Sequence, residues 1–195
     1  MVTLLTLVRH GQTDWNLARR IQGTTDIPLN ETGRDDARRA AAALADERYD
    51  AIYASPLVRA QQTAEIIADE LGLGSPALTR GLRERTFGEG EGMLVEDYLK
   101  TWSDWTSAVP GAETLEEVRE RALDSLERIV RASRRRSAPR AESIIVVSHG
   151  GVIRSLLMHV SGGSLPRVGD SLHNGSVHRF VAEPGTLRLL ETIPV

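Results

Sequence analysis

Cysteine is absent from the 195 residues, which excludes disulfides, thiolate metal sites, a cysteine nucleophile, zinc fingers and redox motifs. Lysine is nearly absent as well. Lys100 is the only one, so arginine carries the basic charge and a single arginine says little by itself. No apolar run is long enough to span a membrane. The apolar start, Met1 to Val8, is too short for a signal h-region and has neither a basic flank nor a small-residue cleavage site. A cytoplasmic protein without a membrane partner is expected. The chain has no internal repeat, low-complexity tract or linker, and no recognised metal-ligand spacing, so neither metal nor cofactor is expected. A net charge of −3 gives no general reason for nucleic-acid binding. The basic run Arg134-Arg135-Arg136 lacks interleaved aromatics and reads as the solvated, fraying end of a helix.

What is present fits one domain over residues 1–195, with 93–112 as a short insert. Leu4 to Val8, Ala51 to Ala54 and Ile144 to Val147 are short apolar runs that read as buried strands. Between them, Arg34 to Asp46 carries Ala37, Ala41, Leu44 and Ala45 at helical spacing. A second helix starts at Leu57 with Ala60, Ala64, Ile67 and Leu71 on one face. Thr114 and Glu117 form a capping box for a helix through about Arg131, and the insert predicts a helix from Val95 to about Trp105. Val177–Val181 and Leu187–Thr192 read as a closing strand pair around Pro184-Gly185. Alternation of strand and helix predicts right-handed βαβ units and a mostly parallel sheet.

The chemistry gathers where strands end. Arg9 and His10 follow the first strand, Arg59 lies just past the second, and His149 follows the third, at the carboxyl edge where open α/β sheets place ligands. Gly150-Gly151 begins a helix whose free N–H groups and lack of Cβ suit an anion such as a phosphate dianion. Arginines beside His10 disfavour imidazolium and keep a ring nitrogen free for attack. Glu84 follows Leu82-Arg83 in a loop and is the candidate proton donor for a leaving group. Taken singly, His149 is equally a core histidine and Glu84 a surface ion-pair partner of Arg83 or Arg85. Their clustering at successive strand ends favours a site. His159, His173 and His178 lack that context and read as structural or surface residues.

Ordered motifs run nearly end to end: Leu7-Val8-Arg9-His10-Gly11-Gln12-Thr13-Asp14-Trp15-Asn16, then Gln22-Gly23 with Asp26 to Leu29, and Ser55-Pro56-Leu57 with Arg59-Ala60 and Thr63-Ala64. Leu82-Arg83-Glu84 with Phe87-Gly88, and Ser148-His149-Gly150-Gly151, complete them. This pattern resembles the histidine phosphatase superfamily, the phosphoglycerate-mutase-like proteins of branch 1. The resemblance implies a three-layer α/β/α sandwich, a phosphohistidine intermediate on His10, and no metal. By the same resemblance Arg9, Arg59 and His149 bind the phosphoryl group, Asn16 and Gln22-Gly23 contact it or the substrate, and Glu84 acts as acid then base. Gly11 and Gly150 are read as giving phosphate room to approach. Gln12 stands where the family most often has Glu, and Gly90 where many phosphatase members carry Trp.

The superfamily includes phosphatases and mutases. Residues 93–112 contain no arginine, only Lys100 against Glu96, Asp97 and Asp104, so a doubly anionic glycerate finds little to hold it there. A short cap also admits water. Hydrolysis of a small phosphomonoester such as a sugar phosphate is therefore expected, with phosphoglycerate mutase as the alternative and a non-catalytic phospho-ligand binder as a third reading. Tyr98, Trp102 and Trp105 either pack the cap down or stack on a substrate ring. A homodimer is left open.

Overall fold

The computed structural model describes residues 2–167, 170–183 and 185–193. Six strands form one sheet in the order β3-β2-β4-β1-β5-β6. They are β1 (Thr3–Arg9), β2 (Ala51–Ala54), β3 (Ala77–Leu78), β4 (Ser143–Ser148), β5 (Val177–Glu183) and β6 (Thr186–Ile193). The pairs β1–β4, β2–β4 and β2–β3 are parallel, whereas β5 and β6 join antiparallel beyond β1. The expected mostly parallel sheet is thus present with an antiparallel margin.

Strand alternation divides the core in two. Leu5 and Leu7 of β1 join Ile144 and Val146 of β4 on one face, against Val118, Ala122 and Leu126 of α5 (Leu115–Ser137) and Val152, Ile153 and Leu156 of α6 (Gly150–Val160). Val8, Ile145 and Val147 point the other way, against Ala40, Ala41 and Leu44 of α2 (Glu31–Leu44) and Ala60, Ala64 and Ile67 of α3 (Val58–Leu71). Each buried Leu, Ile or Val contributes about 1.5–3 kcal/mol, and a one-residue slip would turn every one to the wrong layer. Register therefore fixes which residues follow the strand ends. Because Arg9 is opposite Ser148 and Ala54 opposite Val147, His10, Ser55 and His149 emerge side by side at one edge.

Several boundaries differ from expectation for local reasons. Helix α2 starts at Glu31 rather than Arg34, because the Asn30 side chain accepts the Gly33 N–H at 2.9 Å and caps it. Arg134 to Arg136 do not fray: α5 continues to Ser137, with Arg134 donating to Ala182 O at 3.1 Å and Arg136 to Glu142 at 3.1 Å. Strand β3, two exposed residues, left no apolar signature. The hairpin joins β5 to β6 as expected, although Pro184 lies outside the described residues.

The first helix, α1 (Asp14–Leu17), is a single turn capped by Thr13 and Asn16. In the insert, α4 (Val95–Trp102) stops short of Trp105, where Ser103 takes φ 62°. Tyr98 is fully buried, stacked on Trp105 with ring centroids 5.2 Å apart, tilted against Trp102 at 5.1 Å and edge-on to Phe87 at 6.0 Å. These aromatics pack residues 93–112 down onto Phe87, the first of the two readings above. Main-chain atoms attach the segment to the body: Ile21 N–H donates to Met93 O at 2.9 Å, Val95 N–H to Arg19 O at 2.8 Å, and Arg85 to the Trp105 carbonyl.

Candidate active site

His10 continues the sheet for one residue by donating its N–H to Ser148 O at 3.0 Å, and the residue is 2% exposed. The Gly11 carbonyl lies 2.7 Å from Nδ1. A carbonyl only accepts, so Nδ1 carries the proton and Nε2 the lone pair. Burial, then Arg59 and Arg9, hold the His10 pKa well below the ordinary value, while the Gly11 bond opposes them. The ring is a neutral base with an unprotonated Nε2.

The loop behind it is fixed at several points. Gly11 N–H donates to Thr63 Oγ1 at 3.0 Å, Gln12 N–H to Asp36 Oδ2 at 2.9 Å, and Asn174 Nδ2 to His10 O at 2.9 Å. A Cβ on Gly11 would stand 2.1 Å from Gly33 O, so this glycine is required by main-chain packing. Asn16 Oδ1 accepts the Thr13 N–H at 3.1 Å and anchors the loop's capping turn.

His149 faces His10 with ring centroids 5.1 Å apart. Its Nε2 lies 2.7 Å from Ser55 Oγ, which also accepts the Leu57 N–H at 3.3 Å. The hydroxyl, with one proton and two lone pairs, holds the imidazole at Nε2 and leaves Nδ1 turned away from it. Among the described residues, that Nδ1, Arg9 Nε and Arg59 Nε are buried without a partner. Two buried guanidinium N–H donors and a ring nitrogen without partners are costly unless a ligand meets them.

The arginines are held by carbonyls. Arg59, fully buried, donates through Nη2 to Gly23 O at 2.7 Å and through Nη1 to Thr25 O at 2.9 Å; Arg9 donates to Leu172 O. Burial lowers the Arg59 pKa to about 10, with Glu84 and Asp26 opposing, and it remains cationic at neutral pH. Burial likewise lowers Arg9, opposed first by Glu84. Gln22 is buried, and its Oε1 has no partner among the described residues.

Glu84 follows a single 3₁₀ turn (Arg80–Leu82). Its Oε1 accepts the Arg85 N–H at 2.8 Å and its Oε2 the Gly151 N–H at 3.1 Å, in the first turn of α6. A Cβ on Gly151 would lie 2.4 Å from Glu84 Oε1, whereas one on Gly150 would meet Arg9 Nε at 3.4 Å. His10, His149, Arg9, Arg59 and Glu84 are thus joined by contact or charge, with Gly23 and Gly150 at the arginines and Gln22 beside Gly23. A groove of about 430 Å³ between α5 and the β5–β6 hairpin is lined by none of them. The site is located by its chemistry and not by concavity.

The model of the histidine phosphatase superfamily (branch 1) matches residues 5–192. The chain belongs to this superfamily. As a histidine phosphatase it is 40% identical over 162 residues to the uncharacterized phosphatase PhoE of Bacillus subtilis, covering 83% of this chain and 79% of that one. It is 33% identical over 176 residues to a 2,3-bisphosphoglycerate-dependent phosphoglycerate mutase of Parvibaculum lavamentivorans, covering 82% and 80%. Among solved structures, a mycobacterial glucosyl-3-phosphoglycerate phosphatase superposes with a TM-score of 0.81 at 27% identity, over 97% of both chains. Both phosphatases and mutases are therefore relatives.

Several residues around these groups have partners that the sequence did not reveal. Glu91 accepts from the N–H groups of Thr24 (3.0 Å), Thr25 (3.2 Å) and Phe87 (3.1 Å), tying the segment that holds Arg59 to the loop of Glu84. Burial raises its pKa, but these hydrogen bonds prevail and lower it. Thr63, Asp36 and Asn174 act through partners distant in sequence. Among the described residues, no helix is long and apolar enough to cross a membrane.

Proposed function

We propose that this chain is a phosphomonoester hydrolase working through a phosphohistidine on His10, in one domain spanning 1–195 with 93–112 as a cap. The carrying observation is a buried, neutral His10, its Nδ1 committed to Gly11 O, with His149 beside it and with Arg9 Nε, Arg59 Nε and His149 Nδ1 buried without a partner among the described residues. Nε2 attacks phosphorus while the ester oxygen leaves and takes a proton from Glu84. Arg9, Arg59 and His149 hold the non-bridging oxygens, as preorganised donors do for developing phosphoryl charge. Glu84, now a carboxylate, removes a proton from water, whose oxygen displaces Nε2 and releases inorganic phosphate. Gln22, Gly23 and Asn16 border the substrate, and Gly11 and Gly150 line the phosphate side. No step requires a metal or a cofactor.

The substrate is a small phosphorylated metabolite such as a sugar phosphate. The arginine-free cap, whose aromatics are turned onto each other, supports hydrolysis over transfer between the two positions of a glycerate. The protein works in the cytoplasm without nucleic-acid or membrane partners, and a homodimer is compatible with this role. A panel of phosphomonoesters, run beside 3-phosphoglycerate with bisphosphoglycerate, tests the reading: phosphate release is expected, and efficient isomerisation without release overturns it.

A further inference from the structure

Behind the acid loop, on the second turn of α5, Arg121 uses all five of its N–H groups. Nη1 donates to Gly81 O at 2.8 Å and Arg83 O at 2.7 Å. Nη2 donates to Glu84 O at 3.0 Å and Glu113 Oε2 at 2.9 Å, and Nε to Glu113 Oε1 at 2.8 Å. Glu113 in turn accepts the Thr86 N–H at 2.9 Å. The ion pair thus holds the main chain at 81, 83, 84 and 86, on both sides of the proposed acid. Its side chains are only 19% and 24% exposed, which separates it from the solvated pairs along the rest of α5. Burial pushes the Glu113 carboxyl up, but Arg121 and the Thr86 N–H outweigh it and keep it below the usual carboxylate value.

The seat is tight. A Cβ on Gly81 would stand 1.9 Å from Ser125 Oγ and 2.9 Å from Arg121 O, so the loop lies directly on α5. Glu84 is then gripped by its main chain from α5 and by its carboxylate from α6 through Gly151 N–H. General acid catalysis tolerates little misplacement, since the proton must travel along a hydrogen bond to the leaving oxygen.

We propose that Arg121, clasped by Glu113, is a positioning residue that sets Glu84 for proton transfer to the leaving group. The proposal rests on Glu84 being the acid. Lysine cannot substitute, because a single ammonium lacks the planar fork that reaches three carbonyls and both carboxylate oxygens.

The test separates proton donation from general damage. Arg121→Lys, Arg121→Met and Glu113→Gln, with Glu84→Gln as reference, are assayed for kcat/KM on p-nitrophenyl phosphate, whose leaving group needs little protonation, and on β-glycerol phosphate, whose alkoxide needs it. Circular dichroism and Tm report folding. The clasp variants are expected to lose roughly 10²-fold on β-glycerol phosphate and under about tenfold on p-nitrophenyl phosphate, following Glu84→Gln in direction. Equal losses on both substrates in folded clasp variants, with Glu84→Gln still discriminating, overturn the positioning role alone. Equal losses in Glu84→Gln overturn the acid assignment itself. If Arg121→Met does not fold, Glu113→Gln, which keeps a hydrogen-bonding side chain under the guanidinium, decides by the same ratio.

Discussion

Ser55 Oγ stands 2.7 Å from His149 Nε2 and accepts the Leu57 N–H on its other side, so one hydroxyl anchors an imidazole 94 residues away. Ser55→Ala removes that anchor. A drop of about tenfold in kcat/KM on p-nitrophenyl phosphate is expected, the cost of one hydrogen bond of roughly 1.4 kcal/mol. Nitrogen NMR of His149 should show the proton redistributed between its two nitrogens.

His10 and His149 are both held neutral well below the usual imidazole range by burial and then Arg59. The enzyme's acid limb, in kcat/KM corrected for substrate ionisation, is therefore expected well below pH 6.5. A limb at pH 6.5 assigned to His10 contradicts its environment. His10→Ala should abolish both turnover and acid-labile phosphate labelling, measured with radiolabelled substrate.

Arg59 commits one N–H from each Nη to the carbonyls of Gly23 and Thr25, which fixes the plane of the guanidinium. Arg59→Lys keeps the charge and loses the fork. Loss of roughly 10²-fold in kcat/KM is expected, with weaker inhibition by inorganic phosphate.

His178, 1% exposed between Ser176 and Thr192, has its pKa lowered by burial to about 4. Below pH 6.5 the unfolded chain takes up this proton and the folded chain does not, so stability falls with pH through that window. The loss from His178 alone is on the order of 3 kcal/mol at pH 4. Urea denaturation at pH 4.5 and 7.5 should give a smaller difference for His178→Gln than for the parent chain.

Gly151 touches Glu84 twice, through its N–H and through the space a side chain would fill. Gly151→Ala is expected to displace the carboxylate and cost roughly 10²-fold in kcat/KM on alkyl phosphates, with little change in Tm.

The sheet was readable where strands are buried on both faces. Leu5–Val8, Ala51–Ala54 and Ile144–Val147 are apolar runs because two helical layers cover them, whereas Leu4 and the Ala77–Leu78 strand are exposed. The end of α5 was not readable, because its last turn is held by Ala182 O, 48 residues beyond Arg134. Within the site, His10, Arg59 and His149 were legible as charged or titratable groups at strand ends. Thr63, Ser55 and Asn174 were not legible as partners, since they act across 52, 94 and 164 residues of chain. Gly11 was read as room for phosphate, yet its nearest constraint is the main chain of Gly33, which only the docking of α2 reveals.

Residues 93–112 meet the rest of the chain through main-chain atoms, at Met93 O, Val95 N and the Trp105 carbonyl, and through Tyr98 and Trp105, which pack on Phe87. Because Phe87 follows Glu84 by three residues, this aromatic seam couples the seating of residues 93–112 to that of the loop carrying Glu84: neither can shift without the other.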